Sequence, residues 1–448
     1  MRYVGLDVHK RIVQAHFCDQ HGHRLETMRF DLNTASLQQF ALQHLGSDCA
    51  VALEATTNTW AVVDVLTPHC AQITVSNPLR TKAIALSKHK SDRVDAEALA
   101  QLLRCGYLPK VWIADPHTRQ ERNLAARRSA LVRQGALIKN RVHSILHQHL
   151  IQAPSDPFTQ QGRQWLSQLQ LAPHLRAEIT TQLRMLDALA SEQKELMALI
   201  ERSAYASDAV KLLMTLPGVG VATAQALVAA IGDISRFPSA DKLAAYFGLV
   251  PSVHQSAEHA YHGSITKQGN SNVRWLLVEV AHHAGRHPGP LGHQFSRLAR
   301  KKGVAVARVA IARKLAILTW HLLTKSEPYR YALPAPTEYK LAQLRRSQGI
   351  RHRLGPEKGQ AQLPKKSYQR VRVQRGLDSV LATEALPATT PAPAAELRIL
   401  RQLGLDTLQH RLHTPVRTIS PVSPAERIRK GPRSKAVDTR PSPKKLRR

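Results

Sequence analysis

Four carboxylates in the first hundred residues have positions from which they could bind metal ions. Two of them, Asp92 and Asp95, stand three residues apart in LSKHKSDRVDAEALA (86–100), where a helical pattern begins. Positions three apart lie on the same side of the first helical turn. A structural interpretation is also open, with Asp92 as the N-cap and Asp95 as its capping-box-like partner. An isolated DxxD pattern favours the structural interpretation, so the choice depends on the other two acids.

The other two acids, Asp7 and Glu54, occur in strand-like segments. Asp7 lies between Leu6 and Val8 in RYVGLDVH, where an ionised carboxylate is costly unless a cation or hydrogen bonds compensate it. Glu54 ends the strand AVALE, and functional groups of open α/β sheets collect at such strand ends. Each acid alone also has a structural interpretation, as a buried hydrogen-bonded residue or a residue at the end of the sheet.

The four carboxylates converge if their two strands are neighbours. Such a cluster raises its own pKa values or requires a cation. Hard oxygen ligands select Mg²⁺ or Mn²⁺. Two such ions can stabilise both the attacking and the leaving oxygen of a phosphodiester. Together, the four acids therefore predict a nuclease or strand-transfer site.

The pattern of residues 1–112 predicts the fold that would carry this site. Three consecutive strands, RYVGLDVH (2–9), RIVQAHFC (11–18) and RLETMRFD (24–31), are followed by alternating helices and strands. The later elements are a helix at 34–45, a strand at 50–55, a helix at 59–66, a strand at 72–77 and a helix that ends near 104. This order predicts a ribonuclease H-like α/β domain.

The remainder of the chain divides by composition into three parts. Residues 113–206 predict a helical connector with two long helices, which form an antiparallel hairpin, a dimerising coiled coil or an intramolecular bundle. Residues 207–330 predict a mainly helical domain. Residues 331–448 predict a basic, low-complexity and largely disordered tail with a short helix around 395–403. From residue 340 onward there are 25 Lys and Arg against 7 Asp and Glu, a difference of +18.

Several segments have the residue types that contact nucleic-acid phosphates. LPGVGVATAQALVAAIGD, from Leu216, predicts a helix-hairpin-helix whose amides at Gly218 and Gly220 suit a DNA phosphate; a tight turn between packed helices is the alternative. A polar loop precedes GSITKQGNSNVRWLL, in which two glycines bracket a turn. The basic candidates for phosphate contacts are Lys267 in this turn, Arg274 in the helix after it, and Lys88, Lys90 and Arg93 beside the paired aspartates.

The net charge of the 448-residue chain is +32, and its pI is near 10.6. A charge of this size favours a polyanionic partner, first nucleic acid and second a membrane surface. The sequence has no run of 18 apolar residues and no signal-peptide pattern, so we expect a cytoplasmic protein without a membrane span. Its four cysteines lack the spacing of a zinc site or a disulfide framework.

The ordered motifs resemble a known family. GLDVHK, VALEAT, KSDRVDAEALAQLL, LPGVG, and GLVPSVHQS followed by GSITKQGNSNVRWLL are together similar to the DEDD transposases of bacterial insertion sequences. These recombinases pair a RuvC-like domain with a serine-bearing C-terminal domain. The resemblance covers residues 1 to about 327.

The resemblance implies more than the residue patterns do. It implies that Asp7, Glu54, Asp92 and Asp95 form the metal-binding tetrad. It also implies that Ser256 attacks a DNA phosphate and forms a covalent serine–DNA link. The family commonly has Gly after this serine, whereas this chain has Ala257, which would strain the turn if that Gly supplies a positive φ.

The resemblance also bears on partners. It implies a structured noncoding RNA that pairs with target and donor DNA, so that base pairing reads the sequence. We expect a homo-oligomer, a dimer or tetramer. A composite site, with the tetrad and the serine from different protomers, is one arrangement that the sequence leaves open. Two other functions remain open from the sequence: a RuvC-type junction-resolving nuclease without a covalent intermediate, and a nonenzymatic nucleic-acid-binding relic of a transposase.

Overall fold

A computed structural model describes residues 1–84, 91–256, 259–350 and 369–421 of the chain. The chain falls into two compact units, Met1–Asp115 and Pro116–Arg448. The elements of the first unit are, in chain order, β1 (Arg2–Val8), β2 (Ile12–Cys18), β3 (Arg24–Asp31), α1 (Thr34–His44), β4 (Cys49–Glu54), α2 (Thr59–Leu66), a 3₁₀ turn (Thr67–His69), β5 (Gln72–Ser76), α3 (Pro78–Ile84), α4 (Asp92–Arg104) and β6 (Lys110–Val111).

The strands of the first unit form one six-stranded sheet in the order β3-β2-β1-β4-β5-β6. The first three strands are antiparallel, as expected of consecutive hairpins, whereas β4 pairs in parallel with both β1 and β5. The predicted strands and helices between residues 2 and 104 are all present. The short elements α3 and β6 lack a periodic pattern and were not predicted. The central strand β1 therefore has β2 on one side and β4 on the other.

The two faces of the sheet are covered by different helices. Side chains alternate along a strand, so Val4, Leu6 and Val8 of β1 pack with buried residues of α1 and α2. The opposite face carries α4, which packs on the small side chains of Ala50 and Ala52 in β4. The odd-numbered positions of β1 lie on the α4 face.

Gly5 permits the close approach of α4 to the sheet. A Cβ atom at this position would lie 1.9 Å from the carbonyl oxygen of Ala96 and 2.6 Å from the amide nitrogen of Ala100. Neither backbone atom can move without displacing the helix. The helix is therefore seated directly on β1, and its first turn lies near the end of that strand.

Replacing Gly5 with Ala should lower the free energy of unfolding by roughly 3 kcal/mol, because an overpacked contact forces backbone shifts. Chemical denaturation monitored by circular dichroism measures the effect. Gly220→Ala is the matched control, since a Cβ atom there meets nothing within 4 Å and its φ is −97°. Equal stability of Gly5→Ala and the parent protein would contradict this packing.

The second unit is mainly helical. Its elements are α5 (Pro116–Gln148), α6 (Gln160–Gln168), α7 (Pro173–Ala206), α8 (Asp208–Leu213), α9 (Val221–Ile231), a 3₁₀ turn (Ile234–Arg236), α10 (Ala240–Tyr246), β7 (Pro251–Ser256), β8 (His259–Ile265), α11 (Ser271–Ala284), α12 (Pro290–Lys302), α13 (Val304–Lys325), α14 (Pro334–Ser347), β9 (Gln369–Gln374), α15 (Leu377–Thr383), α16 (Ala394–Gln402), α17 (Leu408–His413) and β10 (Val416–Pro421). Strands β9 and β10 pair antiparallel.

The two long helices α5 and α7 pack against each other as an antiparallel hairpin. Near its base, Ser203 donates a hydrogen bond to the buried carboxylate of Glu121 at 2.7 Å. Farther along, Arg127 pairs with Glu192 at 3.1 Å. Of the arrangements that the sequence left open, the antiparallel hairpin within one chain is the one observed.

The C-terminal part of the chain corrects one prediction. Residues 331–350 and 375–416 were assigned to a largely disordered tail with a short helix around 395–403. Helix α16 confirms that short helix, whereas α14, α15 and α17 were not predicted. Their leucines, Leu341, Leu377, Leu400 and Leu412 among them, are buried in the same core as residues of α8, α9, α11 and α13. The high Pro, Ala and Lys content hid short amphipathic segments, each with only one to three buried apolar residues. The remaining predicted tail residues, 351–368 and 422–448, lie outside the described residues.

In the described parts of the chain, no helix combines the length and the apolar character that crossing a membrane requires.

Candidate active site

The first turn of α4 presents Asp92 and Asp95. The N-cap of this helix is Ser91, whose hydroxyl accepts a hydrogen bond from the amide of Val94 at 3.4 Å. The carbonyl oxygen of Ser91 accepts a hydrogen bond from the amide of Asp95 at 3.0 Å. The structural interpretation that made Asp92 the cap is therefore wrong, because the preceding serine provides the capping oxygen. The carboxylate of Asp92 is available for another partner.

Asp7 and Glu54 lie side by side at the carboxyl ends of β1 and β4. The parallel register pairs Leu6 with Leu53, so the next positions of the two strands, Asp7 and Glu54, are adjacent. Both positions lie on the α4 face, because Leu6 and Leu53 pack on the opposite one. Neighbouring strands are about 4.8 Å apart, so the two residues are near neighbours in the sheet. The predicted convergence of these strands is observed.

His9 links Asp7 to Asp92. Its Nε2 lies 2.9 Å from Oδ2 of Asp7 and 3.3 Å from Oδ1 of Asp92. Asp7 is mostly buried, with a side chain 18% exposed, whereas the side chains of His9 and Asp92 are each about half exposed. Sequence reasoning did not select His9. The signal was its position two residues after Asp7, which places both side chains on the same side of an extended chain.

Electrostatics at Asp7 show that the first turn of α4 lies close to it. Burial raises the pKa of Asp7 above its ordinary value, and the charge and hydrogen bond of His9 lower it. The negative charges of Asp92 and Asp95 raise the pKa of Asp7 further. A nearby cation would favour the ionised form of a buried carboxyl group that has other carboxylates close to it.

The residues at this point fit a divalent metal ion. One ligand atom each from Asp7, His9 and Asp92 lies within 4.8 Å of the other two. Two carboxylates among three donors suit an ion that prefers oxygen ligands, such as Mg²⁺ or Mn²⁺. Glu54 on β4 and Asp95 on α4 extend the same face, and Asp95 acts on Asp7 through its charge. The chemistry of this donor set therefore supports a metal site.

Replacing His9 with Gln should shift the acid limb of metal-dependent activity to higher pH. His9 lowers the pKa of Asp7, so its loss raises that pKa, and Asp7 must be ionised to bind a cation. Initial rates measured along the acid side of the pH–rate profile test the effect. His23→Gln, an exposed histidine paired only with Asp19 among described residues, is the control. An unchanged acid limb in His9→Gln would argue against this coupling.

The basic residues predicted beside the aspartates are only partly described. Lys88 and Lys90 lie outside the described residues. Arg93 is exposed in the first turn of α4, and its charge acts on His16, a buried residue of β2. Arg93 therefore lies on the β2 side of the helix.

Ser256 lies in a β-hairpin. Residues 251–265, expected to begin as a polar loop, form strands β7 and β8, with Ser256 paired to His259 at the end of the ladder. The prediction of a loop is wrong because the two segments pair as an antiparallel ladder that runs from Pro251 and Ile265 to Ser256 and His259. Ala257 lies outside the described residues. The hairpin places Ser256 at its turn end.

A turn joins α8 and α9 in the segment for which a helix-hairpin-helix was predicted. Gly218 adopts φ +76°, and a Cβ atom there would lie 2.8 Å from Cβ of His283. Gly220 is the N-cap of α9. The two glycines therefore differ. The positive φ and the close packing on α11 require glycine at position 218, whereas the backbone conformation and surroundings of Gly220 would accept a side chain.

Lys267 and Arg274 lie in the segment after the hairpin. Lys267 is exposed and has a left-handed backbone with φ 55°. Arg274 donates to the carbonyl of Phe247 at 3.1 Å, which ties α11 to the end of α10. Lys267 is thus open to a ligand, whereas Arg274 has a structural contact.

Two family models match the chain. A transposase model for DEDD enzymes of the IS110 type matches residues 4–151, and a model described as "Transposase IS116/IS110/IS902 family" matches residues 210–297. The first match contains all four predicted acids and His9. The second contains the α8–α9 turn and Ser256.

Three of the curated relatives are similar over most of their lengths. A probable family 20 transposase of Pseudomonas aeruginosa is 26% identical over 73% of this chain and 98% of the relative. The transposase for insertion sequence element IS1328 of Yersinia enterocolitica is 25% identical over 72% of this chain and 96% of its own length. A pilin gene-inverting protein of Moraxella bovis is 26% identical over 73% and 97%, respectively.

Proposed function

Because the chain belongs to the IS110-type family of DEDD transposases, we propose that it cuts and rejoins DNA at a site formed by Asp7, Glu54, Asp92 and Asp95, with Ser256 as the nucleophile. The observation that carries this proposal is the approach of Asp7 and Asp92 to within ligand distance of a common point. A transposase binds DNA, and the charge of +32 is suited to it.

A DEDD transposase domain implies a divalent metal ion. We propose that Asp7 and Asp92 hold it, with Glu54 and Asp95 completing the oxygen ligands and His9 either ligating or orienting Asp7. When bound, Mg²⁺ or Mn²⁺ would polarise phosphate oxygens and neutralise charge that develops on them. The contribution of the chain itself is to hold carboxylates on a strand and a helix that Gly5 brings together.

The proposed covalent step balances without an external energy source. The hydroxyl oxygen of Ser256 bonds to phosphorus, one P–O ester bond of the DNA breaks, and the serine proton is transferred so that the leaving oxygen departs as a hydroxyl. A hydroxyl of another strand then attacks the phosphoserine diester and releases the enzyme. The number of ester bonds is conserved, so the same site can cut and rejoin.

The sheet order supports a ribonuclease H-like (RuvC-like) assignment for the catalytic domain, residues 1–112. Three antiparallel strands followed by parallel β4 and β5 follow the order predicted for that fold. We further propose residues 113–206 as a helical connector and 207–330 as the serine-bearing domain. In that domain, the α8–α9 turn would act as a helix-hairpin-helix, with Gly218, Gly220, Lys267 and Arg274 near DNA. Lys88, Lys90 and Arg93 remain proposed phosphate contacts beside the acids.

A guide RNA and a homo-oligomer complete the proposal. The phosphate-directed residues supply affinity but no base reading, so a structured noncoding RNA would supply sequence recognition. A dimer or tetramer would bring together a tetrad and a serine that belong to separate units of the chain. The proposed location is the bacterial cytoplasm, at the nucleoid when DNA is bound.

Trapping of a protein–DNA adduct tests the function. End-labelled DNA carrying insertion-sequence ends and target is incubated with protein, copurified RNA and Mg²⁺, and then separated on a denaturing gel. We expect a labelled band at the mass of the protein that disappears with protease and does not form with EDTA. Cut DNA without an adduct would instead identify a RuvC-type nuclease. Neither product, despite DNA binding, would identify a nonenzymatic relic.

A further inference from the structure

Lys340 of α14 points its ammonium group into the turn that joins α8 to α9. Its Nζ donates hydrogen bonds to three backbone carbonyl oxygens, those of Met214, Leu216 and Val219. The bonds to Leu216 and Val219 are both 3.0 Å long. Lys340 lies more than 120 residues away along the chain from each acceptor. The three carbonyl groups of the turn therefore converge on one ammonium group.

The ammonium group has no carboxylate partner among the described residues. An ammonium has three protons, and the three carbonyls accept all of them. Burial lowers the pKa of Lys340 to about 8. The hydrogen bonds of the ammonium group all go to carbonyl dipoles. Convergent backbone carbonyls are also how proteins replace the hydration shell of K⁺. The ammonium ion and K⁺ are close in size and charge, so a ring of carbonyls that suits one suits the other.

The geometry of the turn explains why a cation is needed there. The carbonyl of Met214 lies at the C-terminal end of α8, where unpaired carbonyls carry partial negative charge. Gly218, with φ +76°, reverses the chain between Leu216 and Val219 so that both carbonyls reach the same point. Three inward carbonyls repel one another unless a donor or a cation lies between them.

We propose that these carbonyls form a monovalent-cation site that the chain fills with its own Lys340. The side chain acts as a tethered ion and fixes the α8–α9 turn without K⁺ from solution. Lys340 is therefore a positioning residue for the turn. It lies outside both segments that match the transposase models, residues 4–151 and 210–297. A helix from the C-terminal part of this chain thus completes a turn in its matched part.

A cavity lies beside Lys340 and the α8–α9 turn. Its volume is about 460 Å³, and it is lined by Gly218, His283, Arg286 and Lys340, among others. No Asp or Glu among the described residues lines this cavity. In a variant with a small residue at position 340, all three carbonyls lose the ammonium donor, and that of Leu216 keeps only the amide of Val219, at 3.2 Å.

Two variants of the full chain separate an ion site from ordinary packing. Lys340→Ala removes the charge and leaves space, whereas Lys340→Met removes the charge and fills the space. We expect the thermal unfolding midpoint of Lys340→Ala to be higher in KCl or NH₄Cl than in tetramethylammonium chloride at equal ionic strength. The increase should saturate as the K⁺ or NH₄⁺ concentration rises. The parent protein and Lys340→Met should show no such difference. Arg346→Ala, on the exposed side of the same helix, is the control for loss of a basic residue from α14.

The result that would overturn the proposal is a Lys340→Ala midpoint that is the same in all three salts, or one that changes as in Lys340→Met. If Lys340→Ala does not fold in tetramethylammonium chloride, recovery of the folded state in KCl but not in its absence is the equivalent readout. Failure of KCl to recover it would again reject the ion site.

DNA affinity gives a second measurement, which rests on the proposed function of the turn. If the turn contacts a phosphate, Lys340→Ala should bind DNA on the order of tenfold more weakly without K⁺, as expected for one lost charge-assisted contact, and recover with K⁺. If the unfolding midpoint of Lys340→Ala depends on K⁺ but its DNA affinity does not, the ion site is supported and the DNA contact of the turn is rejected. The two proposals therefore fail by different measurements.

Discussion

Replacing Asp7 with Asn is expected to lower DNA strand cutting by about 10³-fold or more, while DNA affinity stays within a factor of about two. Asp7 is the most buried of the groups that converge at the site, and both His9 and Asp92 are arranged around it. Asparagine keeps the size of the side chain but removes the charge that a divalent ion requires. Gel assays of cutting in Mg²⁺, with filter binding for affinity, provide the measurement.

Asp31→Asn is the matched control for this experiment. Asp31 ends β3 in the same sheet, is exposed, and lies outside the cluster of Asp7, His9 and Asp92. Its replacement should leave cutting unchanged. Asp7→Asn should also lose Mn²⁺ binding, as measured by isothermal titration, while gaining stability at neutral pH, because burial disfavours the ionised form. Normal cutting by Asp7→Asn would remove the acid cluster from the mechanism.

Replacing Ser256 with Ala is expected to reduce the covalent protein–DNA adduct to background. Alanine cannot form the phosphoserine bond, and removal of a nucleophile removes the whole covalent route rather than a fraction of it. Binding of DNA and of Mn²⁺ should persist, since the acids lie in a separate unit of the chain. Denaturing gels and mass spectrometry of the trapped peptide measure the adduct.

Ser264→Ala is the matched control for Ser256→Ala. Ser264 lies in the partner strand of the same hairpin and is exposed. Its contact with Ser252 uses the backbone carbonyl, which the substitution retains. Adduct formation should therefore be normal in Ser264→Ala. If the adduct persists in Ser256→Ala but not in Ser264→Ala, the nucleophile has been assigned to the wrong serine.

The sequence predicted the placement of Asp7 and Glu54 because strand periodicity and strand order are local properties. Both acids could be assigned to strand ends, and the pairing of β1 with β4 followed from the predicted order. The N-cap was assigned one residue too late, since Ser91 and Asp92 are both good caps and only the backbone conformation distinguishes them. His9 was missed because its role depends on a contact with α4, far along the chain.

The C-terminal part shows where sequence reasoning reached its limit. Leu341 and Leu400 are buried in a core built mostly from residues 204–332. Only α16 was predicted; α14, α15 and α17 contribute so few apolar residues that their periodicity does not stand out against a basic, proline-rich background. Contacts such as the Arg330–Glu396 pair, at 2.6 Å, join segments more than 60 residues apart and leave no local pattern. Likewise, nothing near Lys340 in the sequence indicates the carbonyls that it binds.

The antiparallel pair α5 and α7 has a mechanical consequence. A helix of 33 residues is about 50 Å long. The pair is tied together near its base by Glu121 and Ser203, and Arg163 of α6 is paired with Asp187 of α7 at 2.7 Å toward the other end. Next to Glu121, Arg122 donates to the carbonyls of Ala229 and Ala230 at 2.8 and 3.0 Å, at the end of α9. The base of the hairpin is thus fixed to α9, the helix that follows the proposed DNA-binding turn. A small rotation at that helix becomes a displacement of many ångströms at the far tip.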